Sequence, residues 1–514
     1  MDLRRLVVTP PQMRTAELAA ASHGVPDNKL MAIAGKALGR RVLSVAQQMM
    51  RKNILIICGT GNNGGDGYVA ADFLLSSAAD VMIVKCGEPK TELAKAAYNK
   101  IKGRCEMVSL SNAVIHPSLT DAFEIVVDCV YGIGFHGELR PELQMLFLRF
   151  SLSDAYLIAC DAPSGVNSLN GKAAPNAFDA DETVTFHRPK LGLLLSPAKE
   201  ICGNIITVDI GIGDYVDEYA KVRLLNTDFS FAGSLLPFRL EDSHKGTYGR
   251  LTMVCGSGAY PGAAMISTKA ALRSGVGIVD LCTTEKVISA AVSAMPECTY
   301  TCVPCDENGF MTSDAADIIL RSMSRSDAAV IGCGLGKTPE TEKLVAELIR
   351  KAKIPLIIDA DGINCLSAHI DVLKEKQTEI ILTPHPAELA RLCGTDTVSV
   401  MQDPFGHVCE LAEQYNVTVH AKNTQTLTVR EHMGYITDFG CSALAKGGSG
   451  DMLAGLIGGF VSQEVPADHA CVLADCVMGT SARMLCTEQS PRGILASDII
   501  ARIPRTLYEM EHDL

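Results

Sequence analysis

Tryptophan is absent from this chain, and aromatic residues together make up only 5% of its 514 positions. A stacking platform for single-stranded nucleic acid is hard to build from so few rings. Charge points the same way: 59 acidic against 46 basic side chains give a formal net charge of -13, which repels phosphate backbones. No nucleic-acid partner is expected. Long apolar runs are also missing, since Met452 to Val461 is apolar but glycine-rich and too short to span a bilayer. No membrane partner is expected either. Arg4 and Arg5 lead into Val-Val-Thr-Pro-Pro rather than an apolar signal core, so the protein reads as cytoplasmic.

What is present is core-forming material, with 47% hydrophobic and 20% charged residues, the balance of well-filled globular domains. A chain of this length exceeds one hydrophobic core, which makes two domains the working count. The 19 cysteines are scattered through both halves, and several, such as Cys58, Cys160 and Cys255, stand inside apolar strands, where a thiol behaves as a small hydrophobe. A reducing compartment fits. Cys298, Cys302 and Cys305 lie close together, the last two as a C-x-x-C, but no fourth ligand is near and Thr299, Tyr300 and Val303 look like strand. We read them as incidental thiols.

Apolar β-branched runs alternate with helical patterns, as a parallel α/β sheet requires. Ile54 to Cys58, Val81 to Lys85, Ile125 to Asp128 and Tyr156 to Asp161 are the clearest strands, with helices over Val69 to Leu75 and Thr91 to Lys102. After Ile205 to Ile210 the pattern loosens up to Asp242. A second series then runs through Leu251 to Cys255, Ala328 to Ile331, Leu356 to Asp359, Ile380 to Thr383 and Val417 to His420, ending in a glycine turn, Gly447 to Gly450, ahead of an apolar helix, Met452 to Phe460. The expected architecture is two α/β domains, residues 1–225 as a Rossmann-like three-layer sandwich and residues 226–514 as a second α/β domain. No repeat links the halves.

The stretch Cys58-Gly-Thr-Gly-Asn62-Asn63-Gly64-Gly65-Asp66-Gly joins a buried strand to a helix. There, glycines let backbone approach a ligand and the helix start favours phosphate. Two further strands end in acids, Asp128 and Asp161, and ligands of open α/β sheets bind outside the carboxyl ends of strands. Such an Asp serves equally well as a helix cap. Oxygen donors such as Asn63, Asp128 and Ser164 suit a hard cation rather than zinc.

These motifs, with Val127-Asp-Cys-Val-Tyr-Gly132, Asp161-Ala-Pro-Ser164-Gly165, Asp181-Glu-Thr-Val-Thr-Phe and Lys190-Leu-Gly-Leu, resemble the YjeF N-terminal family of NAD(P)H-hydrate epimerases over most of residues 10 to 214. The resemblance implies that Asn62, Asn63, Gly64, Gly65 and Asp66, together with Gly132, Ile133, Gly134, Phe135, His136, Gly137, Glu138 and Asp161, hold the hydrated dinucleotide. It implies potassium on Asn63, Asp128 and Ser164, and a proton-transferring Asp161 for epimerisation at C6.

In the second half, Gly447-Gly448-Ser449-Gly450-Asp451 places successive N–H groups and a helix start beside a carboxylate, an anion-binding nest with a proton carrier. A helix-capping Asp has the same pattern. Together with His244 to Arg250, Tyr260 to Ala264, Gly332-Cys-Gly-Leu-Gly336, Asp359-Ala-Asp-Gly-Ile-Asn364 and Thr383-Pro-His385-Pro-Ala-Glu388, the set resembles the ADP-dependent NAD(P)H-hydrate dehydratases, which have a ribokinase-like fold. The resemblance implies that Ala263, Gly336, His385 and Asp451 contact the hydrated cofactor. It further implies that His420, Ala421, Lys422, Asn423, Thr424 and Gly450 hold the nucleotide, and that Asp451 carries the proton.

Two departures stand on the nucleotide side. His420-Ala421 replaces the usual Lys-Gly, and Gly440-Cys441-Ser442-Ala443 replaces Gly-Asn-Pro-Gly. The charge missing at His420 is expected to weaken nucleotide binding unless Lys422 compensates.

The implied partners are NADHX, NADPHX and ADP, with potassium at the first site, Mg2+ at the second, and a homo-oligomeric assembly. One chain would interconvert the R and S hydrates and dehydrate the S form, with ADP giving AMP and phosphate. A small-molecule kinase in the second domain and a purely dinucleotide-sensing first domain are the rival readings.

Overall fold

The computed structural model describes residues 5–77, 79–116, 119–214 and 223–512, and only the backbone of Asp121. The chain divides into two compact units, Met1–Arg223 and Leu224–Leu514.

In the first unit seven parallel strands form one sheet: β1 (Asn53–Cys58), β2 (Asp80–Lys85), β3 (Glu106–Ser109), β4 (Ile125–Cys129), β5 (Tyr156–Cys160), β6 (Glu182–Phe186) and β7 (Asn204–Val208). Their order across the sheet is β3-β2-β1-β4-β5-β6-β7. A run such as Ile54-Leu-Ile-Ile has no polar face to give to water. Alternate residues accordingly enter two cores, Ile54 and Ile56 on one side and Leu55 and Ile57 on the other, and helices cover both faces of the parallel sheet. The order reverses between β1 and β4, and the loops leaving those strands diverge to open a crevice. Backbone closes the base of that crevice: Gly59 N–H donates to Cys129 O at 3.0 Å, and a Cβ on Gly59 would lie 2.0 Å from Val130 O. Only glycine fits there.

The second unit repeats the plan with β8 (Arg250–Val254), β9 (Ile278–Thr283), β10 (Thr299–Cys302), β11 (Ala328–Ile331), β12 (Leu356–Ile358), β13 (Ile380–Leu382), β14 (Thr418–Ala421), β15 (Thr426–Arg430) and β16 (Met433–Thr437). They run in the order β16-β15-β14-β13-β12-β11-β8-β9-β10. Strands β8 to β14 are parallel to one another, while β15 and β16 are antiparallel additions beyond β14. The reversal falls between β8 and β11, and again backbone ties the diverging loops together, Gly256 N–H to Cys333 O at 2.8 Å. Helix Ala467–Glu488 is long and apolar enough to cross a membrane by length and composition, but 72% of its apolar window is buried within the protein.

Helix Asp27–Met49 is fixed to the first sheet by Arg41, whose Nε and Nη2 donate to the two carboxylate oxygens of Glu182 at 2.7 and 2.5 Å. The Glu182 side chain is 1% exposed. Replacing Arg41 with Met leaves that carboxylate buried and unpaired, which should cost about 3 kcal/mol and lower the unfolding midpoint of the first unit by roughly 6–12 °C. Calorimetry of Arg41→Met against wild type checks this.

Candidate active sites

In the first crevice, β5 ends and Asp161 follows with φ of 64°, a left-handed conformation that costs a non-glycine residue on the order of 1–3 kcal/mol and needs support from its surroundings. The support is a fully buried lysine. Lys190 Nζ bonds to Asp161 Oδ1, to Thr185 Oγ1 at 2.9 Å and to Phe186 O at 2.9 Å. Thr185 Oγ1 and Phe186 N–H also donate to Oδ1, both at 3.2 Å. The bonds to the Asp161 side chain from Lys190, Thr185 and Phe186 all fall on Oδ1, and Asp161 lines a cavity of about 290 Å³.

That cavity is also lined by Asn62, Asn63, Asp66, Gly132, Ile133 and Gly134 from the two loops, and by Arg14, Glu17 and Asp27 from the N-terminal helices. Carboxylates crowd each other here. Burial and the Asp161 charge push Glu17 up to about 7 and hold Asp66 well above the usual carboxylate range.

Behind the wall Asp128 is fully buried. Its oxygens accept from Val130 N–H at 3.0 Å, Ser164 N–H at 2.7 Å and Ser164 Oγ at 2.7 Å. Burial raises its pKa to about 6. Among the described residues the buried Asn63 amide nitrogen has no hydrogen-bond partner.

At the second crevice three side chains converge: donor atoms of Cys333, Asp359 and Asp451 lie within 4.8 Å of one another. Lys422 Nζ binds Asp359 Oδ1 at 2.5 Å, and Thr383 Oγ1 donates to the same oxygen at 2.6 Å. Burial, with Asp359 nearby, raises Asp451 to about 6. Asp451 lies in the first turn of helix Ser449–Val461, whose cap Gly448 has φ of 97°. A Cβ on Gly450 would stand 3.6 Å from Lys422 Nζ.

On one side of this cluster Gly336 N–H donates to Asp361 Oδ2 at 2.8 Å, and Ala263 packs at Gly334. On the other lies a cavity of about 700 Å³ whose wall includes His385, Lys422, Asn423, Thr424, Cys441, Gly450 and Asp475.

Most of the residues named from sequence gather at the two crevices, with instructive exceptions. In the first loop, Gly64 and Gly65 are buried helix residues whose missing Cβ admits Gly59 O and Met31. Phe135 turns into the core against Tyr131, ring centroids 5.2 Å apart. His136, Gly137 and Glu138 are exposed and stand off the cavity wall.

His420 and Ala421 also stand off the wall of the larger cavity. His420 is fully buried: its Nδ1 lies 2.8 Å from Thr428 Oγ1, its cross-strand partner, and its Nε2 lies 3.5 Å from Asp475. Its ring stands away from the cavity, and Lys422 puts a cation on that wall. His385 does line the cavity, yet it also caps helix Pro386–Leu392, with Nδ1 accepting from Ala387 N–H at 3.1 Å. Sequence reading missed Arg14, Glu17, Asp27 and the buried role of Lys190. Charges on an amphipathic helix look like a solvated face, and Lys190 was visible only as part of a motif.

The comparisons agree with this division. Residues 27–192 match the family described as YjeF-related protein N-terminus, and residues 251–505 match NAD(P)H-hydrate dehydratase. The bifunctional NAD(P)H-hydrate repair enzyme Nnr of Pyrobaculum aerophilum is 31% identical over 508 residues, 97% of this chain and 98% of that protein. Its counterpart in Coxiella burnetii is 30% identical over 495 residues, 96% and 97% of the two chains. A structure of the ADP/ATP-dependent NAD(P)H-hydrate dehydratase from Bacillus subtilis, co-crystallised with ATP/Mg2+, covers 55% of this chain and 97% of its own, at 28% identity and a TM-score of 0.48. Two α/β units, one matched by each of these families, make this a two-domain enzyme. The chain belongs to the family of bifunctional NAD(P)H-hydrate repair enzymes.

Because folding raises Asp451 to about 6, the folded state binds its proton more tightly than the unfolded chain does. Its contribution therefore falls as pH climbs from the ordinary carboxylate range to about 6. Asp451→Asn should consequently be more stable than wild type by about 1–3 kcal/mol at pH 8, with the gain disappearing below about pH 4. Thermal unfolding at the two pH values measures the difference.

Proposed function

We propose that the first crevice epimerises the R and S forms of hydrated NADH and NADPH at C6, and that the second dehydrates the S form at the expense of ADP, giving AMP and phosphate. The observation that carries this reading is the pairing, in each unit, of a lysine-held carboxylate with a further carboxyl group pushed toward neutral pH: Asp161 on Lys190 beside Glu17, and Asp359 on Lys422 beside Asp451. Groups poised near pH 7 are what proton transfer to and from carbon-bound hydroxyls requires.

At the first site Lys190 fixes Asp161 through Oδ1, leaving Oδ2 to move a proton at the substrate. A volume of about 290 Å³ suits the hydrated nicotinamide end of the dinucleotide, with Asn62, Asn63 and Gly132 around it. The remainder then lies along the loop toward His136 and Glu138. Potassium fits behind the wall: Asp128 is buried with only neutral hydrogen-bond donors, two of them from Ser164, and Asn63 adds a further oxygen donor from the cavity wall at Gly132. When bound, the cation supplies the positive charge that keeps Asp128 ionised and the two loops together.

At the second site Ala263, Gly336 and Asp361 face the hydrated ring, and the larger cavity, with Lys422, Asn423, Thr424 and Gly450, takes ADP. Asp451 removes the proton of the C6 hydroxyl as that oxygen bonds to the β-phosphorus and AMP departs. N–H groups at the start of the Asp451 helix receive the charge on the phosphoryl oxygens. Loss of phosphate from C6, with a proton from the neighbouring carbon, then restores the ring. Asp359 and Asp451 are hard donors that fit a magnesium ion arriving with the nucleotide, whereas the Cys333 thiol is not. Bound there, magnesium would draw charge from the phosphates.

The test is incubation of the purified protein with mixed epimers, with and without ADP, following recovery of reduced-cofactor absorbance. Asp161→Asn should consume only the S fraction and then stop. Asp451→Asn should lose about two to four orders of magnitude in dehydration rate while still folding and binding ADP. Full consumption of both epimers by the first variant, or near-wild-type turnover by the second, would overturn the assignments.

A further inference from the structure

The segment that departs from the family pattern at Gly440-Cys441-Ser442 forms part of the wall of the 700 Å³ cavity. Cys441 Sγ lies 4.0 Å from Cys486 Sγ on helix Ala467–Glu488, and both residues are half-buried, within reach of solvent. One turn earlier on the same helix Arg483 donates through Nη2 to Asp438 O at 2.6 Å and to Gly440 O at 3.0 Å. Positions three apart share a helix face, so one face both straps this wall segment and presents a thiol to it. Two other thiol pairs lack the access: Cys129 is hydrogen-bonded to Cys160 and Cys255 to Cys333, but all four are buried.

We propose that Cys441 and Cys486 form an oxidation site, a thiol pair that a peroxide closes to a disulfide and that thereby reshapes the nucleotide cavity. A thiolate of the pair attacks the peroxide O–O bond, giving a sulfenic acid and, after protonation, water or an alcohol. The second thiol displaces hydroxide from that sulfur, and with its proton this leaves as a second water. Two electrons pass from the two sulfurs to the peroxide, and two S–H bonds become one S–S bond. Bonded sulfurs stand about 2.05 Å apart, so the pair must close by roughly half its present separation. The side to move is the wall segment, because Cys486 is held in a helix. Its displacement changes the shape of a cavity wall that Cys441 shares with Gly450, and ADP binding falls while the first unit is untouched. The gating rests on the reading of this cavity as the ADP site.

The full chain is treated with hydrogen peroxide, quenched with an alkylating agent, and digested without reduction for mass spectrometry. ADP affinity is measured by calorimetry, and epimer interconversion in parallel. A cross-linked peptide containing Cys441 and Cys486 is expected, with ADP affinity lowered at least about fivefold, full recovery on adding dithiothreitol, and unchanged epimerisation. Cys486→Ser should bind ADP as the reduced wild type does and keep that affinity after peroxide. Absence of the cross-linked peptide overturns the proposal, as does an unchanged affinity in the cross-linked protein or an equal loss in Cys486→Ser. Failure of the reduced protein to bind ADP would instead overturn the nucleotide reading and the gating with it, leaving the cross-linked peptide to stand or fall separately.

Discussion

Each sheet in this protein must reverse its strand order once, between β1 and β4 in the first unit and between β8 and β11 in the second. Where it does, the loops above the sheet part company and cannot fill the space between them. The backbone contacts there, Gly59 to Cys129 and Gly256 to Cys333, pin the base of each gap. Everything chemical then stands on its rim: Asp161 one strand along from the first reversal, Asp359 one strand along from the second, and the glycine-opened helices that start beside them. Packing creates the site before any functional side chain is considered.

Electrostatics completes what topology begins. A carboxylate at a buried strand end is costly unless a cation meets it, and in each unit a lysine does so, Lys190 for Asp161 and Lys422 for Asp359. The next carboxyl group along is pushed toward its neutral form mainly by its own burial, with the lysine-held carboxylate adding to the effect and Lys190 and Arg14 for Glu17, or Lys422 for Asp451, only partly offsetting it. This explains the raised values of Glu17 and Asp451. Neither lysine needs to touch a substrate to matter, since each determines which of its neighbours can give or take a proton.

The fold was legible because strands such as Ile54 to Cys58 and Ala328 to Ile331 are apolar throughout, a pattern that only a doubly covered sheet explains. Asp161, Asp128 and Asp451 were legible for a related reason, as acids following such runs or glycine turns. What sequence could not give was direction. His420 stands two residues from Lys422, yet one ring is locked between Thr428 and Asp475 inside the sheet layer while the other side chain reaches the cavity. Phe135, between the exposed Gly134 and His136, turns inward because an apolar ring gains more from the core than from the rim. Glu17 was hidden because two of the charges that act on it, Asp161 and Lys190, stand far along the chain.

The size of the first cavity carries a consequence for selectivity. If the first cavity takes the reacting ring as proposed, its space of about 290 Å³ leaves the rest of the dinucleotide outside, and NADPH differs from NADH only by a phosphate on the distant adenosine ribose. The walls proposed to do the chemistry are then blind to that phosphate. Any preference for one coenzyme must be written on the outer surface, where an unfavourable charge is screened by salt, so discrimination at this site should fade as ionic strength rises.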